Sequence, residues 1–184
     1  MLGHQLCRSL QSRHKVWATL RRPVIDYSSH EIFNTSTSIQ VNDITDRDAL
    51  SRVLEKAQPE AVINCVGIIK QLNEAKDENR VRKVNAEFPH HLAQQCKALN
   101  TRLIHFSTDC VFAGIKGNYS EDDPADATDL YGKTKYLGEV TDRHCITIRS
   151  SVIGHEIGSN LSLLGWFLNQ EGKRLFMMSP LHTH

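Results

Sequence analysis

The chain has 184 residues, which is long enough for one domain with a substantial hydrophobic core. Its net charge of +1 at pH 7 argues against a nucleic-acid partner or an anionic membrane surface. The longest apolar run, residues 61–69, is far shorter than the ~20 residues that a transmembrane helix needs, so we expect no membrane partner.

Cysteine and histidine usage indicates the compartment and the absence of a metal. The five cysteines are dispersed without paired spacing, which predicts free thiols in a reducing compartment. No secretory signal is visible in the first residues, and no Cys/His spacing resembles a metal site. We therefore expect a cytoplasmic protein that binds no metal.

Strand and helix patterns alternate along the chain. Short apolar or β-branched runs predict strands at residues 16–20, 39–41, 61–67, 103–106 and 145–148. Apolar residues at helical spacing predict helices at residues 1–15, 45–57, 79–99, 131–140 and 161–168. The run at 61–67 is apolar almost throughout, as expected for a strand buried on both faces. The alternation predicts an α/β fold of the Rossmann type, a doubly wound parallel sheet with helices on both faces.

The stretch from residue 102 to residue 139 carries the strongest chemical signal. Its strand ends in Ser107-Thr108-Asp109, and open α/β sheets bind ligands at the carboxyl ends of their strands. Tyr131 and Lys135 follow four residues apart, so a helix places both side chains on one face. A positive charge beside a phenol favours the phenolate and eases proton donation from a group whose reference pKa is ~10. A threonine hydroxyl can hydrogen-bond the same reacting oxygen.

These three groups suit the delivery of a proton to a carbonyl oxygen while a hydride reaches its carbon. A Tyr-x-x-x-Lys pair is by itself a weak motif. The alternative interpretation is that the two side chains are exposed to solvent on one helix and have no catalytic role. The order of strand, Ser-Thr-Asp, acidic loop and YGKTK favours the functional interpretation.

The segments STDCVFAG and YGKTKYLGE, with YSEDDP between them, resemble the extended short-chain dehydrogenase/reductase superfamily. Within it they are most similar to the dTDP-4-dehydrorhamnose reductase group, whose pattern is STDYVFDG followed by YGxSKxxGE. The resemblance implies Thr108, Tyr131 and Lys135 as the catalytic residues. Cys110 stands where that group usually has Tyr, and Ala113 where it usually has Asp. Both departures bear on the contacts to the sugar more than on the chemistry.

The resemblance also implies several contacts to a dinucleotide cofactor. Gly3 corresponds to the last glycine of a glycine-rich turn, and Asp43 flanks the adenine. Asn64 and Gly67, at the end of their strand, lie beside the ribose and the pyrophosphate, and Lys135 binds the nicotinamide ribose. A helix cap is an alternative role for Asp43, and a plain core strand is an alternative for residues 64–67.

Arg21 and Arg22 follow the predicted strand at 16–20. In dinucleotide-binding folds an acid at this place favours NAD, whereas an arginine accepts the 2′-phosphate of NADP. Two arginines and no acid therefore predict NADP as the cofactor, with NAD as the second choice. A solvated basic turn is the alternative interpretation.

Two features between these segments predict local contacts. Asn85 lies inside the predicted helix at 79–99, where asparagine is disfavoured, so a hydrogen-bonding role and a solvent-facing side chain are equally good interpretations. Residues 68–71 depart from the polar stretch that the family usually has, and we expect them to affect substrate preference.

Compared with the family pattern, the chain starts at the last glycine of the turn. We therefore expect that it lacks the first strand, the first two glycines and most of the sugar-binding lobe, although a small domain that starts with a helix is the alternative. Residues 1–155 would form an incomplete NAD(P)-binding domain and residues 156–184 the start of the substrate lobe. Because the first strand is central in this fold, we expect weak or absent catalysis and weak NADPH binding by the 184-residue chain.

The activity that the resemblance implies is the NADPH-dependent reduction of a nucleotide-linked 4-keto-deoxysugar, within nucleotide-sugar and cell-surface polysaccharide biosynthesis. One alternative is an NAD-dependent sugar-nucleotide epimerase or dehydratase that uses the same tyrosine and lysine. The other is a non-catalytic regulatory subunit, or an inactive fragment, of reductase-like fold. The expected partner is a nucleotide sugar. A homodimer is also compatible with the sequence.

Overall fold

The computed structural model describes residues 1–157, 162–170 and 172. The chain forms two compact units, of which one is Gly3–Ser151 and the other comprises Met1–Leu2 and Val152–His184. Within the described residues, no helix combines the length and the hydrophobicity that crossing a bilayer requires. The larger unit carries all the candidate site residues.

Five parallel strands and several helices alternate along the described chain. The strands are β1 Ala18–Leu20, β2 Ser38–Gln40, β3 Ala61–Asn64, β4 Arg102–Ser107 and β5 Cys145–Arg149. The α-helices are α1 Leu2–Leu10, α2 Arg47–Ala57, α3 Glu78–Arg82, α4 Phe88–Ala98, α5 Leu130–Leu137 and α6 Leu163–Leu168. Short 3₁₀ helices span Val24–His30, Asn73–Lys76 and Asp109–Val111. The predicted α/β class with parallel strand pairing is confirmed.

The described strands pair as two separate parallel sheets. β1 pairs with β2, and β3, β4 and β5 pair in that order. In the larger sheet Ile63 is opposite Ile104, which is opposite Ile146. The carboxyl ends of β3, β4 and β5 therefore lie along one edge of that sheet, where the sequence places its polar residues.

Two predicted elements extend beyond the observed ones. The predicted helix at 1–15 is too long, because α1 ends at Leu10 and a turn follows. The predicted strand at 61–67 ends at Asn64, and it is not buried on both faces: Ala61 is exposed, and the next two residues are half-buried. β3 is an edge strand of its sheet, so apolar composition alone overstates its burial.

Asp46 caps α2, since its carboxylate accepts hydrogen bonds from the backbone N–H groups of Asp48 and Ala49, so the helix-cap alternative for Asp43 is wrong. The predicted helix at 161–168 matches α6. Most of the predicted substrate lobe, residues 156–184, lies outside the described residues.

The core lies between the larger sheet and helices α2 and α4. Leu103 and His105 of β4 are fully buried on the face that packs against the helices. The core residues that share this cluster are Leu50, Leu54, Phe88, Leu92, Ala93, Cys96, Leu103 and Val140. The opposite face is more open, with Ile146 59% and Ile148 38% exposed.

The predicted helix at 79–99 is interrupted by a π turn, Lys83–Glu87, between α3 and α4. Pro89 has no backbone N–H, so the carbonyl of Asn85 loses its usual helical donor at this point. The Asn85 side chain is fully buried and exchanges two hydrogen bonds with the backbone of Ile68, at 2.8 and 2.9 Å. The hydrogen-bonding interpretation of Asn85 is therefore confirmed, and the side chain fixes the segment that follows β3.

Two glycines allow α5 to approach its neighbours closely. A Cβ atom at Gly132 would overlap the carbonyl oxygen of Cys110 and would lie 2.5 Å from the Cβ atom of Ala127. A Cβ atom at Gly138 would overlap the carbonyl oxygen of Asn85, in the π turn. Backbone packs directly on backbone at both places, and the two contacts together fix the position of α5 beside the end of β4.

We predict that Gly138→Ala destabilises the protein. The added methyl group would lie 3.0 Å from the backbone carbonyl carbon of Asn85 as well as overlapping its oxygen, so α5 must shift, which costs about 1–3 kcal/mol of unfolding free energy. Urea denaturation followed by circular dichroism measures the loss. Gly3→Ala is the matched control, because its methyl group would lie 3.7 Å from the Cβ atom of Cys65, an ordinary contact. Equal stabilities of the two variants would contradict the close approach.

Candidate active site

Thr108 stands at the carboxyl end of β4, in extended backbone conformation. Its hydroxyl accepts a hydrogen bond from the backbone N–H of Cys110 at 3.2 Å and donates one to Asp109 at 3.2 Å. The first bond caps the 3₁₀ helix Asp109–Val111, which explains why the strand stops at this residue. The hydroxyl is thereby held at the sheet edge where ligands bind in open α/β folds.

Helix α5 brings Tyr131 and Lys135 to the same edge. Asp129 begins the helix, since its carboxylate accepts a hydrogen bond from the backbone N–H of Gly132 at 3.0 Å. Lys135 is 4% exposed, and its Nζ atom donates a 2.7 Å hydrogen bond to the backbone carbonyl of Phe106, in β4. The ammonium group therefore ties the helix to the strand just before Thr108.

Burial lowers the pKa of Lys135 to about 8, while the negative charge of Glu139 acts in the opposite direction. The ammonium form still dominates at pH 7. The lysine thus combines a positive charge with an environment in which giving up a proton costs less than it does in water.

Burial raises the pKa of the Tyr131 phenol, and the neighbouring Thr108 hydroxyl acts in the opposite direction. The positive charge of Lys70 also lowers this pKa, and its Nζ atom lies 5.7 Å from the centre of the tyrosine ring. Lys70 is held there by an ion pair of 3.0 Å with Asp129. The sequence predicted a role in lowering this pKa for Lys135 alone, and Lys70 was missed because no motif marks it.

A cavity of about 210 Å³ opens at the carboxyl ends of β1 and β2 and beside the segment after β3. Arg21 and Gly67, two of the predicted cofactor contacts, line it. A Cβ atom at Gly67 would lie 3.9 Å from the Nζ atom of Lys135, so this glycine connects the cavity with the lysine. The other lining residues are Thr19, Leu20, Val41, Asn42, Ile44, Val66, Ile68, Leu72, Glu74, Arg80 and Val84.

Gly3 and Arg22 lie outside the lining of this cavity. Gly3 is in the first turn of α1, where it packs beside Cys65, the residue that follows β3. Arg22 pairs with Asp26 at 3.8 Å and lies over the ring of Tyr27, 5.2 Å from its centre. Of the two predicted arginines, the structure therefore brings Arg21 to the cavity.

Asp43 and Asn64 have their polar atoms engaged within the protein. Both carboxylate oxygens of Asp43 accept hydrogen bonds from Arg80, at 3.0 and 3.1 Å, and these bonds hold the pKa of the carboxyl well below its usual range. Asn64 is buried; its carbonyl oxygen accepts from the backbone N–H of Val66, and its amide nitrogen lies 3.0 Å from the Nδ1 atom of His105. Arg80 has no family motif that would have indicated this role.

His105 is a buried neutral side chain beside the candidate site. The Asn64 amide donates to Nδ1, so the ring proton is on Nε2, which has no partner within the described residues. Burial lowers the pKa of His105 to about 3, and the nearby charge of Lys135 acts in the same direction. The imidazole therefore adds no charge next to the lysine at neutral pH.

The family of the chain follows from comparison with known proteins. The family described as "RmlD substrate binding domain" matches residues 1–178. The chain belongs to this family. The expected relationship to the dTDP-4-dehydrorhamnose reductase group of the extended short-chain dehydrogenase/reductases is thus confirmed.

A dTDP-4-dehydrorhamnose reductase of Mycolicibacterium smegmatis is 42% identical over 100 residues, which cover 53% of this chain and 30% of the relative. The crystal structure of a hypothetical dTDP-4-dehydrorhamnose reductase from Sulfolobus tokodaii has a TM-score of 0.70 and 28% identity, and the match covers 84% of this chain and 54% of that one.

The Bacillus anthracis dTDP-4-dehydrorhamnose reductase, solved in complex with NADP, shares the fold with a TM-score of 0.52 and 23% identity, over 67% of this chain and 46% of that one. The chain spans between 30% and 54% of the length of these three family relatives.

We predict that Lys70→Gln raises the pKa of the Tyr131 phenol, because removing a positive charge near the ring disfavours the phenolate. A pH titration of ¹³C-labelled tyrosine by NMR measures the change. Lys116→Gln is the matched control, since Lys116 lies over a different ring, that of Tyr119. A Tyr131 pKa that stays the same or falls in Lys70→Gln would show that Lys70 does not act on this phenol.

Proposed function

We propose that the chain carries the cofactor-binding and proton-donating part of an NADPH-dependent reductase that acts on a nucleotide-linked 4-keto-deoxysugar. One observation carries the proposal: Thr108, Tyr131 and Lys135 converge at the carboxyl end of β4. Membership of a family that includes reductases of dTDP-linked keto sugars supports the substrate class. A dTDP-linked 4-keto-6-deoxysugar is therefore the substrate to test first.

Tyr131 acts as the proton donor to the carbonyl oxygen of the substrate. The Thr108 hydroxyl now donates to Asp109, and a substrate oxygen would compete with Asp109 for that proton. The Thr108 hydroxyl would then donate a hydrogen bond of about 2.7–3 Å to the substrate oxygen and hold that oxygen beside the phenol of Tyr131. NADPH, when bound, supplies the hydride.

Lys135 contributes a positive charge that water does not screen, because its side chain is almost fully buried. The charge favours the phenolate that remains after the proton has left Tyr131. Lys70 adds a second positive charge, with its Nζ atom 5.7 Å from the centre of the tyrosine ring. Positive charge near the ring favours proton transfer from a phenol whose pKa is raised by burial.

The cavity beside β1 is suited to the adenosine half of the cofactor. Arg21 stands at the end of β1, where a 2′-phosphate would find a guanidinium group, which supports NADP over NAD. Gly3, Arg22, Asp43 and Asn64 remain proposed cofactor contacts. The cysteines of the chain are free thiols, which supports a reducing, cytoplasmic location.

The proposal is tested with Tyr131→Phe, which removes one oxygen atom and keeps the ring. We expect hydride transfer from NADPH to the keto sugar to fall by about 10²–10⁴-fold, with NADPH affinity unchanged. Deuterium transfer from labelled NADPH to the sugar, followed by mass spectrometry, registers even slow turnover. Tyr136→Phe is the control, because this tyrosine lies on the same helix and is 44% exposed.

Two results would overturn the proposal. The first is full deuterium transfer by Tyr131→Phe. The second is a folded wild-type chain that transfers no deuterium and does not respond to NADPH in NMR spectra, even at millimolar concentration.

A further inference from the structure

Three charged side chains line the cavity at the carboxyl end of β1: Arg21, Glu74 and Arg80. Each arginine is already paired with a carboxylate, Arg21 with Glu74 and Arg80 with Asp43. A phosphate group that enters this cavity therefore meets no arginine that is free. Binding of the phosphate therefore requires that one of the two ion pairs breaks, and the weaker pair will break first.

The ion pair between Arg80 and Asp43 is held by several hydrogen bonds. Nη1 and Nη2 of Arg80 bind the two different carboxylate oxygens of Asp43, and Nη1 also donates to the Thr45 hydroxyl at 3.2 Å. Asp43 further accepts from the backbone N–H of Thr45 at 2.9 Å. A two-pronged guanidinium–carboxylate contact is among the strong hydrogen-bonded pairs in proteins. This network holds the turn before α2 against α3. Freeing Arg80 for a phosphate would break all of these hydrogen bonds.

The Arg21 pair is different. One nitrogen, Nη2, binds one oxygen of Glu74, and the side chains are 61% and 37% exposed. Exposed ion pairs of this kind contribute little to stability, because water and salt compete with them. Glu74 lies in the short 3₁₀ helix Asn73–Lys76, 53 residues away in sequence, so the fold alone brings it to Arg21.

We propose that Glu74 is a specificity-determining residue that competes with the 2′-phosphate of NADP for Arg21. This inference rests on the proposed function. The carboxylate occupies the guanidinium in the free chain, and the phosphate must displace it. Once displaced, Glu74 is a negative charge beside a phosphate. NADH has no 2′-phosphate, so Glu74 does not compete with it for Arg21. Arg21 favours NADPH over NADH, and Glu74 reduces the ratio of the two affinities.

The test compares wild type with Glu74→Gln in equilibrium titrations with NADPH and with NADH, followed by NMR so that weak binding is also measured. We expect the affinity for NADPH to rise about two- to fivefold, the range of an exposed ion pair, and the affinity for NADH to stay unchanged. Glu78→Gln is the matched control for loss of a negative charge. It is exposed, begins α3 four residues later in the sequence and does not line the cavity.

A second comparison repeats the Glu74→Gln change in an Arg21→Gln background. If the two residues act through each other, the gain in NADPH affinity disappears there. The inference is overturned by equal gains for both nucleotides, by no gain for NADPH, by the same gain in Glu78→Gln, or by a gain that persists without Arg21. A folded wild-type chain that binds neither nucleotide overturns the proposed function and this inference together.

Discussion

The hydrogen bond from the Lys135 ammonium to the backbone carbonyl of Phe106 organises the candidate site. A charge that is almost fully buried must have a polar partner, and here the partner belongs to the central strand of the larger sheet. The bond therefore fixes both the rotation of α5 and its height above β4. Tyr131 lies one turn earlier on the same helix face, which brings its phenol to Thr108.

The packing of α5 makes this hydrogen bond possible. Gly132 and Gly138 let the helix backbone touch the Cys110 and Asn85 carbonyls directly, so the lysine side chain reaches the strand from close range. Asn85 in turn holds Ile68, which lies next to Gly67 in the cavity lining. A single chain of contacts thus runs from α5, through the π turn, to the candidate cofactor cavity.

The fold class and the positions of Thr108, Tyr131 and Lys135 could be predicted from the sequence, because each depends on a local pattern or on spacing along one element. The side chains from other segments that contact the site residues could not be predicted. Lys70 reaches Tyr131, and Glu74 reaches Arg21, only because separate segments fold together. Likewise, β3 has the composition of a central strand but lies at an edge of its sheet, and composition does not encode which neighbours a strand has.

The π turn at Lys83–Glu87 has a consequence for how this segment can vary among homologues. A π turn holds one residue more than an α-helical turn, so deleting one residue there would restore a regular helix. The turn absorbs its extra residue locally, so this deletion would leave α3 and α4 close to their present rotation about the helix axis. Leu92 and Cys96 would keep their places in the core, whereas Asn85 lies within the turn and would lose the backbone position from which it binds Ile68. A homologue with one residue fewer here should therefore keep the core and need another support for the segment after β3.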